Sequence, residues 1–132
     1  MTVKNLVLCT GNTCRSPMAA AMIRARRPGD TVQSAGFAAD VGAPAAENAV
    51  EALREIGLDL SSHRAAQLTP EMCAAADRIF VMTAAHGYIL GRMGVPADKI
   101  TVLGIPDPFG GDLTVYREAR DAIAAALDEV LA

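Results

Sequence analysis

Apolar and polar positions along this chain follow two periods, one of strands and one of helices. Leu6-Val7-Leu8 is a short unbroken apolar run, as in a strand buried on both faces. Ser16 and Pro17 have the chemistry of an N-cap and a first helical residue. Met18 to Arg27 supplies good helix formers, and Pro28-Gly29 stops them. Thr31 to Ser34 predicts a second strand. From Ala45 to Ile56 the positions Ala46, Ala49, Val50, Leu53 and Ile56 recur at helical spacing, with Gly57 as the stop. Thr69-Pro70 opens a third helix by the same capping logic. Asp77 to Met82 predicts a third strand, after which Thr83 caps a short helix to about Leu90. Ile100 to Leu103 is the fourth strand. A last helix begins near Thr114, with Tyr116, Ala119, Ile123, Leu127 and Val130 on one stripe.

Strands that alternate with helices imply parallel pairing through right-handed crossovers, hence an α/β fold. No repeat, low-complexity tract or linker interrupts the pattern, so the 132 residues read as one domain, 1–132. A chain of this length buries roughly two thirds of the surface it exposes when unfolded, so one core suffices.

Composition narrows the function classes. Apolar residues make up 52% and charged residues 20%, ordinary for a globule. A net charge of −3 lacks the broad basic footprint of a nucleic-acid binder. The apolar stretches are too short and interrupted for a membrane span. The first residues lead directly into a strand-like run without the apolar core of a signal peptide, so a cytoplasmic location is expected. No helix stripe is in surplus, which points to a monomer. Three cysteines are an odd number, unlike a secreted disulfide framework. In a reducing cytosol Cys9 and Cys14 read as catalytic or redox-active. Cys73, in the helix-like Glu71 to Ala76, reads as a small buried hydrophobe.

One loop carries most of the chemistry. "VLCTGNTCRSP", Val7 to Pro17, leaves the first strand through Cys9 and enters the first helix at Ser16. In an open parallel sheet, ligands sit beyond the C-terminal strand ends. The N–H groups of Thr10 to Ser16 can turn inward as a nest, and the helix N-terminus adds its dipole. Gly11 and Asn12 tolerate the positive φ of a tight loop. Arg15 offers a planar fork of donors for two phosphate oxygens. The same field favours a thiolate at Cys9, and Ser16 can donate a hydrogen bond to that sulfur. Thr13 and Cys14 complete the loop. The task that fits is phosphoryl transfer through a phosphocysteine.

Other uses of these residues fit less well. A Walker-type loop needs a Gly-Lys-Ser/Thr end, which is absent. A zinc site at Cys9 and Cys14 lacks further ligands, since only His63 and His86 exist and neither is paired at zinc-finger spacing. No metal or other cofactor is expected. His63 can be a solvated loop residue, and His86 reads as helix surface without a role. Asp107, between two prolines in "IPDPFGG", can be simple turn chemistry. The curl of the loop around one anion allows Cys9 and Cys14 to approach and form a reversible disulfide on oxidation. Packing of Cys14 beneath the loop stays equally open.

Cys9, five residues, then Arg15-Ser16-Pro17, followed late by Asp107-Pro108-Phe109, resembles the low-molecular-weight protein-tyrosine phosphatase family over nearly the whole chain. The resemblance implies a four-stranded parallel sheet flanked by helices. It implies Cys9 as nucleophile, Arg15 as clamp of the transition state, and Asp107 as the acid that protonates the leaving group and then activates water. It also implies that Ser34 and His63 support Asn12. Thr13, where tyrosine phosphatases commonly carry a larger apolar residue, and Phe109-Gly110-Gly111, without a second aromatic, resemble the bacterial protein-arginine phosphatases. The expected partners are phosphorylated proteins or peptides, with phosphoarginine as substrate. A tyrosine phosphatase is the alternative. Further off stand an arsenate reductase, for which Cys73 lies on the wrong side of the third strand, and a non-catalytic phosphate-binding module.

Overall fold

The computed structural model describes residues 2–132. Strand β1 (Lys4–Cys9) leads into helix α1 (Arg15–Arg26), then β2 (Thr31–Gly36) and α2 (Glu47–Arg54). After a long connection come α3 (Pro70–Ala75), β3 (Arg78–Val81), α4 (Ala84–Arg92), a 3-10 turn at Ala97–Lys99, β4 (Ile100–Val102) and α5 (Leu113–Val130). The four strands form one parallel sheet in the order β2-β1-β3-β4. The predicted class and strand number therefore stand.

Strand parity divides the core in two. Val7, Cys9, Phe80 and Met82 face the layer of α1, α2 and α5, among Met18, Ile23, Leu53, Ile123 and Leu127. Leu6, Leu8, Ile79 and Val81 face the other layer, among Cys73 and Ala76 of α3 and its neighbourhood and Leu90 of α4. β1 is central and has apolar partners on both faces, which is why its sequence is a continuous apolar run rather than an alternation. Each of the buried Val, Leu, Ile, Phe and Met side chains among these stabilises the fold by roughly 1.5–3 kcal/mol relative to exposure. Glu55, just after α2, accepts from Arg117 and Arg120 of α5 and so joins two helices of the first layer. Those hydrogen bonds hold its carboxyl near a pKa of about 2.

Several helix ends follow local chemistry. Thr69 accepts from the Met72 amide with Pro70 in the first turn, and Thr83 accepts from the His86 amide at 3.3 Å. α5 starts one residue earlier than expected because Asp112 is its cap, accepting from Val115. Tyr116, Ala119, Ile123 and Leu127 are buried as the stripe predicted, while Val130 is only half-buried near the last turn. α2 is shorter than its apolar stripe, and β1 and β2 are longer.

The start of α1 departs from expectation. Cys14 occupies the cap position without a side-chain cap bond, and Ser16 lies inside the first turn. Pro17 is the third helical residue, still within the turn where a missing N–H does no harm. The Ser16 hydroxyl is engaged by Cys9 and Asn12 instead of capping the helix.

Candidate active site

All four strands point their C-terminal ends the same way, so Cys9 emerges at the carboxyl edge of the central strand. The chain then turns through Thr10 to Cys14 into α1. Asn12 takes φ 58°, alone among the described non-glycine residues, while Gly11 stays out of the left-handed region. Among the described residues, no acceptor takes the backbone N–H groups of Gly11, Thr13, Cys14, Arg15 or Ser16. Unpaired donors around one loop at a helix N-terminus make an anion receptor.

The loop is held from below. Asn12 Nδ2 donates to Ser16 Oγ at 2.8 Å and to Ser34 Oγ at 3.0 Å, and Asn12 Oδ1 accepts from the Ala66 amide at 2.9 Å. His63 Nε2–H donates to the Asn12 carbonyl at 2.7 Å. Burial pushes the His63 pKa down, against the upward pull of that carbonyl. Because Ser16 Oγ already accepts from Asn12, its hydrogen is free for Cys9 Sγ, 2.9 Å away. The Asn12 amide also points at that sulfur, at 3.3 Å. Asn12 and Ser16 are fully buried, so their side chains shape the loop and the sulfur rather than line the cavity, which leaves their backbone as the part that can meet a substrate.

Cys9, Thr10, Gly11, Thr13, Cys14, Arg15, Asp107 and Phe109 surround one cavity of about 260 Å³. Arg15 is 3% exposed. Its Nη1 donates to the Ile105 carbonyl at 2.9 Å and its Nη2 lies 3.8 Å from Asp107 Oδ2, but Nε is buried without a partner among the described residues. A buried guanidinium with an idle donor beside an anion loop is built to receive oxygen atoms. Asp107 Oδ1 accepts from the Phe109 amide at 3.0 Å, which keeps this half-exposed carboxyl at the rim. A larger hollow of about 470 Å³ is lined by residues that include Pro70, Cys73, Met93 and Lys99. Its thiol, Cys73, is buried as expected, and that burial pushes its pKa up. Among the described residues no three His, Cys, Asp or Glu side chains stand together as metal ligands.

The family model described as low molecular weight phosphotyrosine protein phosphatase matches residues 4–132. The chain belongs to that family. It is similar to a probable low molecular weight protein-tyrosine-phosphatase, EpsP, of Ralstonia nicotianae, 42% identical over 93% of this chain and 90% of the relative. It is also similar to the YwlE arginine phosphatase from Geobacillus stearothermophilus, with 39% identity and a TM-score of 0.89 over 97% of this chain and 90% of that one. A YwlE mutant with a phosphorylated active-site serine matches at 35% identity and a TM-score of 0.88, covering 97% and 93% of the two chains. The protein is therefore a phosphatase of this family, with relatives named for both arginine and tyrosine.

Four contributors to the candidate site escape local pattern. Gly36 ends β2 against the loop, where a Cβ would meet Thr10 O at 2.7 Å and Asn12 N at 3.0 Å. Its place after Ser34-Ala35 at a strand end was the only signal. Tyr116 OH meets Cys14 Sγ at 3.3 Å, and burial with this contact pushes the phenol pKa up. The Ile105 carbonyl holds Arg15. His86, expected on the helix surface, is buried and bonded to Thr10, because the N-terminus of α4 packs toward the loop.

Proposed function

We propose that this phosphatase hydrolyses phosphoarginine on proteins through a phosphocysteine at Cys9. The Cys9 sulfur attacks phosphorus while the P–N bond breaks. Its electron pair goes to the guanidine nitrogen, which takes a proton from the Asp107 carboxylic acid. Arg15 and the loop amides hold the equatorial oxygens as charge spreads over them. Asp107, now a carboxylate, takes a proton from water. The water oxygen attacks phosphorus, the S–P bond breaks, and its pair returns to Cys9 as inorganic phosphate leaves.

The rim is the observation that carries the choice of arginine. Thr13, whose hydroxyl lies 3.7 Å from Cys14 Sγ, lines the cavity, and Phe109 stands there without a second aromatic among the lining residues. At Gly111 none fits, since a Cβ would lie 2.8 Å from Val115 Cβ and 2.9 Å from Pro108 O. A guanidinium has N–H donors that need acceptors, which Thr13 and Asp107 supply. The exposed ring of Phe109 favours a second reading, in which it walls the phenol of phosphotyrosine.

Measuring kcat/KM on phosphoarginine and phosphotyrosine peptides, in wild type and Thr13→Ile, separates the two. Isoleucine leaves desolvated donors facing a methyl group, a cost of about 1–3 kcal/mol, and improves an apolar wall. Thr13→Ile is expected to lower the phosphoarginine constant by one to two decades, by that same estimate, and to raise the phosphotyrosine constant. A parallel loss, or no change, argues against arginine. The nucleophile has its own test. Cys9→Ser is expected to abolish turnover yet bind inorganic phosphate, and an acid-quenched wild-type reaction should carry its phosphate on Cys9.

A further inference from the structure

His86 is 8% exposed, near the start of α4, and has no part in the chemistry above. Its ring stacks on Phe37, with centroids 5.0 Å apart and planes 13° from parallel. Phe37 is itself tied to the loop, because its amide donates to the Cys9 carbonyl at 3.1 Å, and the next amide, of Ala38, donates to the Thr10 carbonyl at 2.9 Å. His86 Nε2 lies 3.1 Å from Thr10 Oγ1. Nδ1 is buried and has no partner among the described residues.

That orphan nitrogen selects the tautomer. A neutral imidazole has one N–H. On Nδ1 it would be a buried donor without an acceptor, whereas on Nε2 it meets Thr10 Oγ1. Buried unpaired N–H groups are rarer and costlier than bare lone pairs. The hydrogen therefore sits on Nε2, and Thr10 Oγ1 accepts it. The Thr10 hydroxyl hydrogen is then free, on an exposed residue that lines the phosphoryl cavity.

We propose that His86 is a positioning residue of the active site: neutral and clamped on Phe37, it donates from Nε2 to Thr10 and so turns the Thr10 hydroxyl hydrogen toward an oxygen of the bound phosphoryl group. The inference rests on the loop being the phosphoryl site, not on arginine rather than tyrosine as substrate.

Protonation would undo this arrangement. It would add an N–H on Nδ1 with no acceptor, and a positive charge in a buried site facing Arg15 from the start of α1. Asp107, from the loop after β4, faces the same ring with the opposite effect. Burial comes first among the influences and Arg15 second, and both push the pKa below the ordinary histidine range. The ring is thus neutral at pH 7. In acid the imidazolium would keep its Nε2–H but carry a buried charge and an unanswered Nδ1–H, which favours departure from the stack and release of Thr10.

The test uses an aryl phosphate, which either substrate reading accepts. kcat/KM is followed across pH, together with inhibition by inorganic phosphate. His86→Phe keeps the stack and removes the donor, His86→Gln restores an N–H near Nε2, Thr10→Val removes the hydroxyl, and Thr10→Ser keeps it. His86→Phe and Thr10→Val are each expected to lower kcat/KM by about 3- to 10-fold, the range of one hydrogen bond. Their double variant should lose no more than either alone. His86→Gln and Thr10→Ser should recover most of the loss. An acid-side ionisation of wild type should be missing from both deficient variants. Additive losses, wild-type activity in Thr10→Val, or an unchanged acid limb in His86→Phe would overturn the proposal. Should His86→Phe fail to fold, Thr10→Val against Thr10→Ser and the pH profile of His86→Gln still decide it. Turnover surviving in Cys9→Ser would instead overturn the reading of the site.

Discussion

Asp107 has two contacts of unequal weight. Its Oδ1 accepts from the Phe109 amide at 3.0 Å, and its Oδ2 lies 3.8 Å from Arg15. The second is a long ion pair on a half-exposed carboxyl and stabilises little. The carboxyl is thus free to change partner when an anion takes Arg15. Asp107→Asn keeps an acceptor for the Phe109 amide, so the loop should hold its shape. It removes the transferable proton, and a guanidine nitrogen leaves poorly without one. Turnover of phosphoarginine should therefore fall by about 100- to 10,000-fold, the usual range for general acid catalysis. An activated aryl phosphate, whose phenolate leaves with little help, should lose much less. Equal losses on both substrates would remove general acid catalysis as the distinguishing role of this residue.

At the scale of elements, the end of β2 and the anion loop are one unit. Gly36 N donates to Ala66 O, the Asn12 carboxamide accepts from the Ala66 amide, and Asn12 also binds Ser34 of β2. Only a residue without a Cβ lets β2 pass this close to Thr10. Gly36→Ala would press a methyl on backbone atoms, which cannot yield as a side-chain tip can. The cost should be about 1–3 kcal/mol, as for an overpacked core, with weaker inhibition by inorganic phosphate. Gly29→Ala is the control, since nothing lies within 4 Å of its added Cβ and its φ is ordinary. Its stability should stay within about 0.5 kcal/mol of wild type. Urea unfolding of the two variants, beside a phosphate-inhibition series, checks both expectations. Similar behaviour of the two would refute the close-approach argument.

Across the whole molecule, the site and the first layer of the core are continuous. Cys9 and Cys14 belong to the same buried cluster as Met18, Leu53, Ile123 and Leu127. The candidate site therefore shares this layer of the core. Ile123→Ala, fully buried on α5, should cost about 2–5 kcal/mol. Activity and helical signal should disappear together along a denaturant series, as in a two-state domain. Activity lost well before the helices would show the loop to be a separate unit. The Glu55 contacts between α2 and α5 add a pH term of known sign. A carboxyl depressed from 4.5 to about 2 favours the fold above the higher value, and that contribution is lost as pH falls through about 2. It is small, because the group is solvated.

Local chemistry determined what could be read without coordinates. A thiol and a guanidinium six positions apart in a Gly-Asn loop suggest an anion site because their neighbours in sequence are their neighbours in space. Thr69 and Thr83 reach amides three residues on, and the unbroken run of β1 follows from burial on both faces. Tertiary structure decided the rest, because the relevant partners lie far along the chain. The Ser16 hydroxyl has the chemistry of a helix cap. It binds Cys9 and Asn12 instead because the fold sets the thiol and the amide against it. His86 stands 76 positions from Thr10 and Tyr116 stands 102 from Cys14, separations that no local periodicity records. Whether a histidine on a short helix meets water or a loop depends on how that helix docks, and docking is set by the packing of the whole sheet.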